Sequence, residues 1–377
     1  MEYENGKSAG RGYPETPMSV RPTILFHPPN HVGLGHINRL SAIALALRQM
    51  RETVRSVFVV EGAGHALLDA LGLPFVPLPS SHALYETECW TFWSECERLT
   101  LLEEVSRAIV RSISPQLVVF DCFPTPAFAT AVLERKIPVV LCLREMQDLR
   151  KYLSHVHDLM GHVALILIPH ELGAFEVPEA IRMKSCFIGQ IVRPFRTGMG
   201  PPSRPERLQV VITGGGGGYP GTASFYNLAM KALVELQRDQ PTITGRLITG
   251  PLFQDWSQLE LGRGVTVTPF EPDTLGAFSA ADLVVSAAGY NTSAELEQIG
   301  VRTILVPAER LWDDQYARSN RLTRRYSHFR TFSGSSVLEL ARVMHEVLQE
   351  TTIVPSGNSS DGSCKAAELL CSMLERS

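Results

Sequence analysis

Three segments carry residues whose type and spacing could do chemistry. In the first, an apolar stretch at 23–27 runs into a loop with Gly33 and Gly35, and a helical pattern opens at His36. A neutral imidazole, with an ordinary pKa of about 6.5, suits removal of a hydroxyl proton near neutrality. Capping the helix, or holding a phosphate without doing chemistry, is the alternative for His36. His31 could line the same cleft, whereas His27 ends the apolar stretch and reads as structural.

The second segment is the apolar stretch 208–213 followed by five glycines, Gly214, Gly215, Gly216, Gly217 and Gly218, and then a helix. Glycines between a strand and a helix expose successive N–H groups near a positive helix end, a recipe for holding a diphosphate. No Lys follows to reach β- and γ-phosphates, which disfavours a P-loop. A flexible loop without ligand is the alternative, although five glycines carry an entropic cost that packing alone would not select.

The third segment runs from Asp282 to Asn320. A strand ends near Ser286, a tight turn passes Gly289, and a helix opens near Asn291 and Thr292, giving a second helix N-terminus able to take a phosphate. Glu295 has two readings. Thr292-Ser-Ala-Glu295 matches a capping box, and the same carboxylate could instead accept ribose hydroxyls. Asp314 and Gln315 follow the next strand, where a carboxylate and an amide suit vicinal sugar hydroxyls; a solvated surface pair is the alternative.

The elements that must position these residues are short β-branched runs alternating with helical stripes. Buried parallel strands are predicted at 23–27, 57–60, 117–120, 139–143 and 165–168, and again at 209–213, 246–249, 265–267, 283–286 and 303–306. Helices are predicted at 227–238, 293–299, 337–348 and 364–376. Each half is thus a βαβ array with its own parallel sheet. Between the halves, 195–207 carries Pro201, Pro202, Pro205, Gly198 and Gly200, the composition of a linker.

The expected organisation is a polar leader at 1–20, an N-terminal domain at 21–194, the linker, a C-terminal domain at 208–354, and a polar loop with a last helix at 355–377. Asp121, Arg144, Glu145 and Asp148 follow N-terminal strands at the ligand-facing edge. They could contact an acceptor or orient His36, or simply solvate loops and cap helices. Trp90, Phe92 and Trp93 could shape an acceptor site or belong to an amphipathic core helix.

Composition narrows the function classes. Hydrophobic residues at 44% and charged residues at 20% allow two cores in 377 residues. A net charge of −4 without basic runs gives no support to nucleic acid as main partner. Seven scattered cysteines without a CxxC pair read as reduced thiols in a cytoplasmic protein, and no His/Cys/Asp spacing suggests a metal. No apolar run reaches the ~18–20 residues that span a bilayer, so membrane contact is expected to be peripheral at most.

On these residues, 21–350 resembles the GT-B glycosyltransferases, two facing Rossmann-like α/β domains with parallel sheets and a cleft between them. The pattern is closest to family 28, the group that contains the peptidoglycan lipid II N-acetylglucosaminyltransferase. The stretch from Ser286 through Glu295 to Asp314 and Gln315 is similar to that family's donor-site signature. Gly189-Gln-Ile-Val-Arg193 is similar to a family segment whose Arg approaches the donor phosphate. The glycine run at Gly214 stands in the place of a phosphate loop, and Val267-Thr-Pro-Phe270-Glu271 in that of a base-contacting loop.

The resemblance implies a nucleoside diphosphate sugar donor, UDP-linked, in the C-terminal half. It implies a small-molecule or lipid-linked acceptor in the N-terminal half, inversion at the anomeric carbon with His36 as base, and no cofactor or metal. It also implies that the last helix returns to the N-terminal domain. The N-terminal loop departs from the family's G-G-T-G-G-H, keeping only Gly35-His36. Its Gly-x-Gly-His-x-x-Arg is more similar to a branch that includes a sugar-nucleotide hydrolase. Hydrolysis or epimerisation on the same fold therefore stays open beside transfer, as does a non-catalytic partner subunit.

Overall fold

A computed structural model describes residues 21–29, 33–61, 64–79, 94–194, 207–350 and 361–376. His31, Trp90, Phe92, Trp93 and residues 195–206 of the linker lie outside the described residues.

The N-terminal strands are β1 (Thr23–His27), β2 (Arg55–Glu61), β3 (Phe75–Leu78), β4 (Leu117–Asp121), β5 (Val139–Cys142), β6 (Val163–Ile168) and β7 (Ser185–Phe187). They form one sheet in the order β3-β2-β1-β4-β5-β6-β7, with every pairing parallel. The C-terminal strands are β8 (Gln209–Thr213), β9 (Thr244–Ile248), β10 (Val265–Thr268), β11 (Leu283–Ala287), β12 (Thr303–Val306) and β13 (Phe329–Thr331). These form a second parallel sheet, ordered β10-β9-β8-β11-β12-β13.

β1, β4 and β5 are buried along their whole length, which is why they read as unbroken apolar runs: helices cover both faces of the sheet. Ile24, Phe26 and Val119 pack on one face of the first sheet, and Leu25, Val118 and Phe120 on the other. Val210, Val285 and Ile304 repeat this arrangement against Val211, Val284 and Leu305 in the second.

In each sheet the order reverses beside the first strand, so the crevice at the strands' C-terminal ends opens between β1 and β4, and between β8 and β11. The register β1–β4 pairs His27 with Phe120, so Asp121 follows at the end of β4, beside the loop that leads to His36.

Sequence reasoning missed β3, β7 and β13. β7 and β13 are three residues long, and β3 is an edge strand of four, half-exposed, carrying Pro77 where an edge tolerates a missing N–H. The last helix, Gly362–Arg376, buries Ala366, Ala367 and Leu370 in the same core as Ile37, Leu40 and Ala44 of the helix Gly35–Met50. Its start is pinned closely: a Cβ at Gly362 would stand 2.3 Å from the Gln190 carbonyl oxygen.

Candidate active site

The two crevices face each other across a cavity of about 470 Å³. Gly33 to His36, Asn38, Arg39, Phe123 and Arg144 line it from the N-terminal side. Gly214 to Gly216, Tyr219, Phe270, Thr274, Gly289 to Thr292, Glu295, Arg310 to Asp313 and Gln315 line it from the other, together with Arg193. Of the described residues expected at the site, Asp121, Glu145, Asp148 and Asp314, with Gly217 and Gly218 of the glycine run, are missing from this lining.

His36 stands in the first turn of the helix Gly35–Met50. The N-cap is Leu34 and no side chain caps the helix, so the imidazole is not a cap. Its Nδ1 meets Asp121 Oδ1 at 3.1 Å, and Arg39, one turn on, donates to both Asp121 oxygens at 2.9 and 2.8 Å. Asp121 is thus the residue that orients His36, and the lining places no acceptor contact on it.

Burial would push the Asp121 carboxyl up, but the neighbouring Arg39 and His36 outweigh it and hold the group below the usual carboxylate range. Burial lowers the His36 imidazole, more than the Asp121 charge beside it raises it, so the ring is neutral at neutral pH. With Asp121 ionised, Nδ1 carries the proton and donates it, which leaves the Nε2 lone pair as the basic atom.

His36, Asp121 and Cys122 bring ligand-type atoms within 4.8 Å of one another. These residues do not fit a cation. Arg39 already occupies both carboxylate oxygens, and burial holds the Cys122 thiol protonated, up at about 12.

On the other side, the helix Tyr290–Ile299 begins at Gly289 without a side-chain cap. Its opening N–H groups therefore face the cavity uncapped, an anion-attracting arrangement. The capping box read from Thr292-Ser-Ala-Glu295 does not form, because the helix starts earlier, at Tyr290. Glu295 turns to the cavity and accepts from Asn38 Nδ2 at 3.1 Å and from Thr274 Oγ1 at 2.8 Å.

Arg193 donates to the Pro272 carbonyl at 2.7 Å and to Thr274 Oγ1 at 3.1 Å, with Glu295 3.9 Å away. Asn291 donates to the Gly35 carbonyl at 2.6 Å.

The glycine run corrects one expectation: packing does select part of it. A Cβ at Gly216 would stand 2.8 Å from Gly33 Cα and Leu34 N in the opposite domain. One at Gly217, whose φ is +86°, would stand 2.3 Å from the Thr249 carbonyl oxygen. Gly215, with φ +75°, has only Thr292 Oγ1 within 4 Å of a Cβ, at 3.9 Å, so its cavity side is open. Tyr226 supports the run from below, accepting from Gly214 N at 3.1 Å and donating to the Thr249 carbonyl at 2.7 Å.

Two expected residues sit elsewhere. Asp148 caps the helix Leu149–His155 through Lys151 N at 2.9 Å, and Asp314 caps the helix Gln315–Arg325 through Ala317 N at 2.8 Å. Asp313 lines the cavity where Asp314 was expected, bridged to Arg144 at 2.9 Å and to Arg318 at 2.5 Å. Gln315 does line it, buried, with its Oε1 accepting from Ala308 N at 3.1 Å. His27 is structural as expected, held by the Val59 carbonyl at 2.8 Å and Thr125 Oγ1 at 3.0 Å.

Sequence reasoning gave no role to Asn38, Arg39, Thr274, Tyr219, Arg310, Trp312 or Asp313. Asn38 and Arg39 had a signal, their places two and three residues after His36 at the mouth of one helix. The others had none: Thr274 opens the six-residue helix Thr274–Ser279, and Tyr219, Arg310, Trp312 and Asp313 arrive from loops.

Residues 210–328 match the glycosyltransferase family 28 C-terminal domain. The UDP-N-acetylglucosamine--N-acetylmuramyl-(pentapeptide) pyrophosphoryl-undecaprenol N-acetylglucosamine transferase of Alcanivorax borkumensis is 27% identical over 227 residues. That match covers 57% of this chain and 59% of the relative. The chain thus spans little more than half the length of that curated relative.

Among solved structures, the glycotransferase of kitacinnamycin matches with TM-score 0.64 at 16% identity, over 94% of this chain and 100% of the other. MurG of Acinetobacter baumannii matches with TM-score 0.55 at 16% identity, over 93% and 100%. At such identities the structures speak for the fold, the GT-B fold of glycosyltransferases, and within it residues 210–328 are similar to the family 28 C-terminal domain.

Proposed function

We propose that this chain transfers a glycosyl group from a nucleoside diphosphate sugar, UDP-linked, to a hydroxyl of a small-molecule or lipid-linked acceptor. The observation that carries this reading is one cavity shared by a neutral, carboxylate-oriented imidazole and an uncapped helix N-terminus. The first suits a hydroxyl proton and the second a phosphate.

The acceptor hydroxyl gives its proton to His36 Nε2 while its oxygen bonds to the anomeric carbon. The bond from that carbon to the diphosphate oxygen breaks on the opposite face, with inversion. The leaving charge meets the Gly216 amide and the N-terminus at Asn291 and Thr292, with Arg193 behind them, while the Gly214 and Gly215 amides are held by Tyr226 and Thr213 and keep the loop in shape. This reading needs no metal. Glu295 exchanges Asn38 and Thr274 for the ribose hydroxyls, Phe270 flanks the base, and Gln315 takes sugar hydroxyls. Phe123, Arg144 and Trp312 line the acceptor side.

Purified protein incubated with UDP-, TDP- and GDP-sugars, with and without hydroxylic acceptors, tests the proposal. A glycosylated acceptor whose formation is lost in His36→Ala, with nucleotide binding kept, supports it. Free sugar released at the same rate without any acceptor would make the chain a hydrolase, and an altered sugar nucleotide would make it an epimerase.

A further inference from the structure

Arg39 touches both halves of the proposed site. Its side chain is 2% exposed and the Asp121 side chain 0%. Nε and one terminal nitrogen grip the two Asp121 oxygens at 2.9 and 2.8 Å. The other terminal nitrogen donates to Asn291 Oδ1 at 3.3 Å, across the cleft. The same Asn291 donates to the Gly35 carbonyl, so both ends of its amide are used and its orientation is fixed.

A planar guanidinium can serve a carboxylate and a third acceptor at once, which an ammonium on a flexible stem does not. The guanidinium also lies 5.3 Å from the centre of the Tyr290 ring, so the start of the donor-side helix holds it a second time.

We propose that Arg39 is a positioning residue that couples the His36–Asp121 pair to the N-terminus of the helix Tyr290–Ile299, so that seating the donor and setting the base are linked. The inference rests on the proposed function, and it gives the Arg of Gly-x-Gly-His-x-x-Arg a role.

Among the described residues, four groups face His36: Asp121, Arg39, Arg144 and the Cys122 thiol. The thiol is protonated, and Arg144 is bridged to Asp313. Burial lowers the ring most; against it, Arg39 repels a proton from the imidazole and is paired with both oxygens of the Asp121 carboxylate that attracts one. Removing it leaves Asp121 to act on His36 undivided, which favours the imidazolium.

The test compares wild type with Arg39→Met and Arg39→Lys, each checked for folding by circular dichroism. His36 is titrated by imidazole NMR, and rates are followed against pH and donor concentration. In Arg39→Met the His36 titration and the acid limb of the rate profile both move to higher pH. Arg39→Lys keeps the limb near the wild-type position, because the cation stays, but loses the reach to Asn291 and raises KM for the donor about tenfold.

An unmoved His36 titration in folded Arg39→Met, or a wild-type donor KM in Arg39→Lys, overturns the coupling. The NMR titration reads the pair whether or not the chain transfers sugar, so failure of the functional reading and failure of this inference are told apart.

Discussion

Asp121→Asn keeps the shape of the side chain and removes one buried charge from behind His36. Arg39 then stays buried with its charge uncompensated, and breaking a buried pair from one side costs about 3–5 kcal/mol. Against an ordinary domain stability of about 5–15 kcal/mol, the variant folds but melts well below wild type.

The stability term has a defined pH window. Asp121 is held below the usual range, so its contribution is complete above the unfolded carboxyl value of about 3.9 and is lost as pH falls through the folded value. The gap between variant and wild type is therefore full at pH 7 and closes in acid.

The chemistry fails for a second reason. An amide can offer its NH2 to Nδ1 and drive the proton to Nε2, which removes the base and with it a factor of about 10²–10⁴ in kcat. Melting followed by circular dichroism at pH 7 and pH 2, with initial rates of product formation at pH 7, reads both effects. A kcat within about threefold of wild type, or an unchanged melt at pH 7, would refute the pairing argument.

Acid should destabilise the native chain through His170. Burial, with Arg318, Arg39 and Arg144 nearby, lowers this imidazole to about 3, and its Nε2 accepts from Glu145 N at 3.0 Å. A folded value below the unfolded 6.5 means stability is lost as pH falls from 6.5 towards 3, by about 2 kcal/mol at pH 5, in chemical denaturation. His170→Asn should flatten that slope, and an unchanged slope would contradict it.

Gly216→Ala drives a methyl group into Gly33 and Leu34 of the facing domain, an overpacking worth about 1–3 kcal/mol. It should weaken nucleotide binding in calorimetry relative to Gly161→Ala, where a Cβ meets nothing within 4 Å. Equal affinities in the two variants would show that the loops do not meet as described.

The central strands were legible because parallel sheets covered on both faces demand unbroken runs such as Ile24-Leu25-Phe26 and Val118-Val119-Phe120. β7 and β13 were not, since three residues leave no periodicity to read.

The site divides in the same way. His36, Glu295 and the glycine run sit at strand–loop–helix junctions, where local sequence reports the backbone. Glu295 was ambiguous because a capping box and a cavity carboxylate share one spelling, and only the helix start at Tyr290 separates them. Asp313 and Asp314 exchanged roles because a one-residue shift in a loop decides which carboxylate caps the helix and which faces inward. The grip of Arg39 on Asp121 spans 82 residues, and the one on Asn291 spans 252, beyond any local pattern.

A diphosphate pocket in the C-terminal half is tested most directly by isothermal titration of UDP and a UDP-sugar into the purified chain. The prediction is single-site binding that weakens in Glu295→Gln and persists in His36→Ala. No detectable heat for any nucleoside diphosphate, in protein shown to be folded, would contradict it.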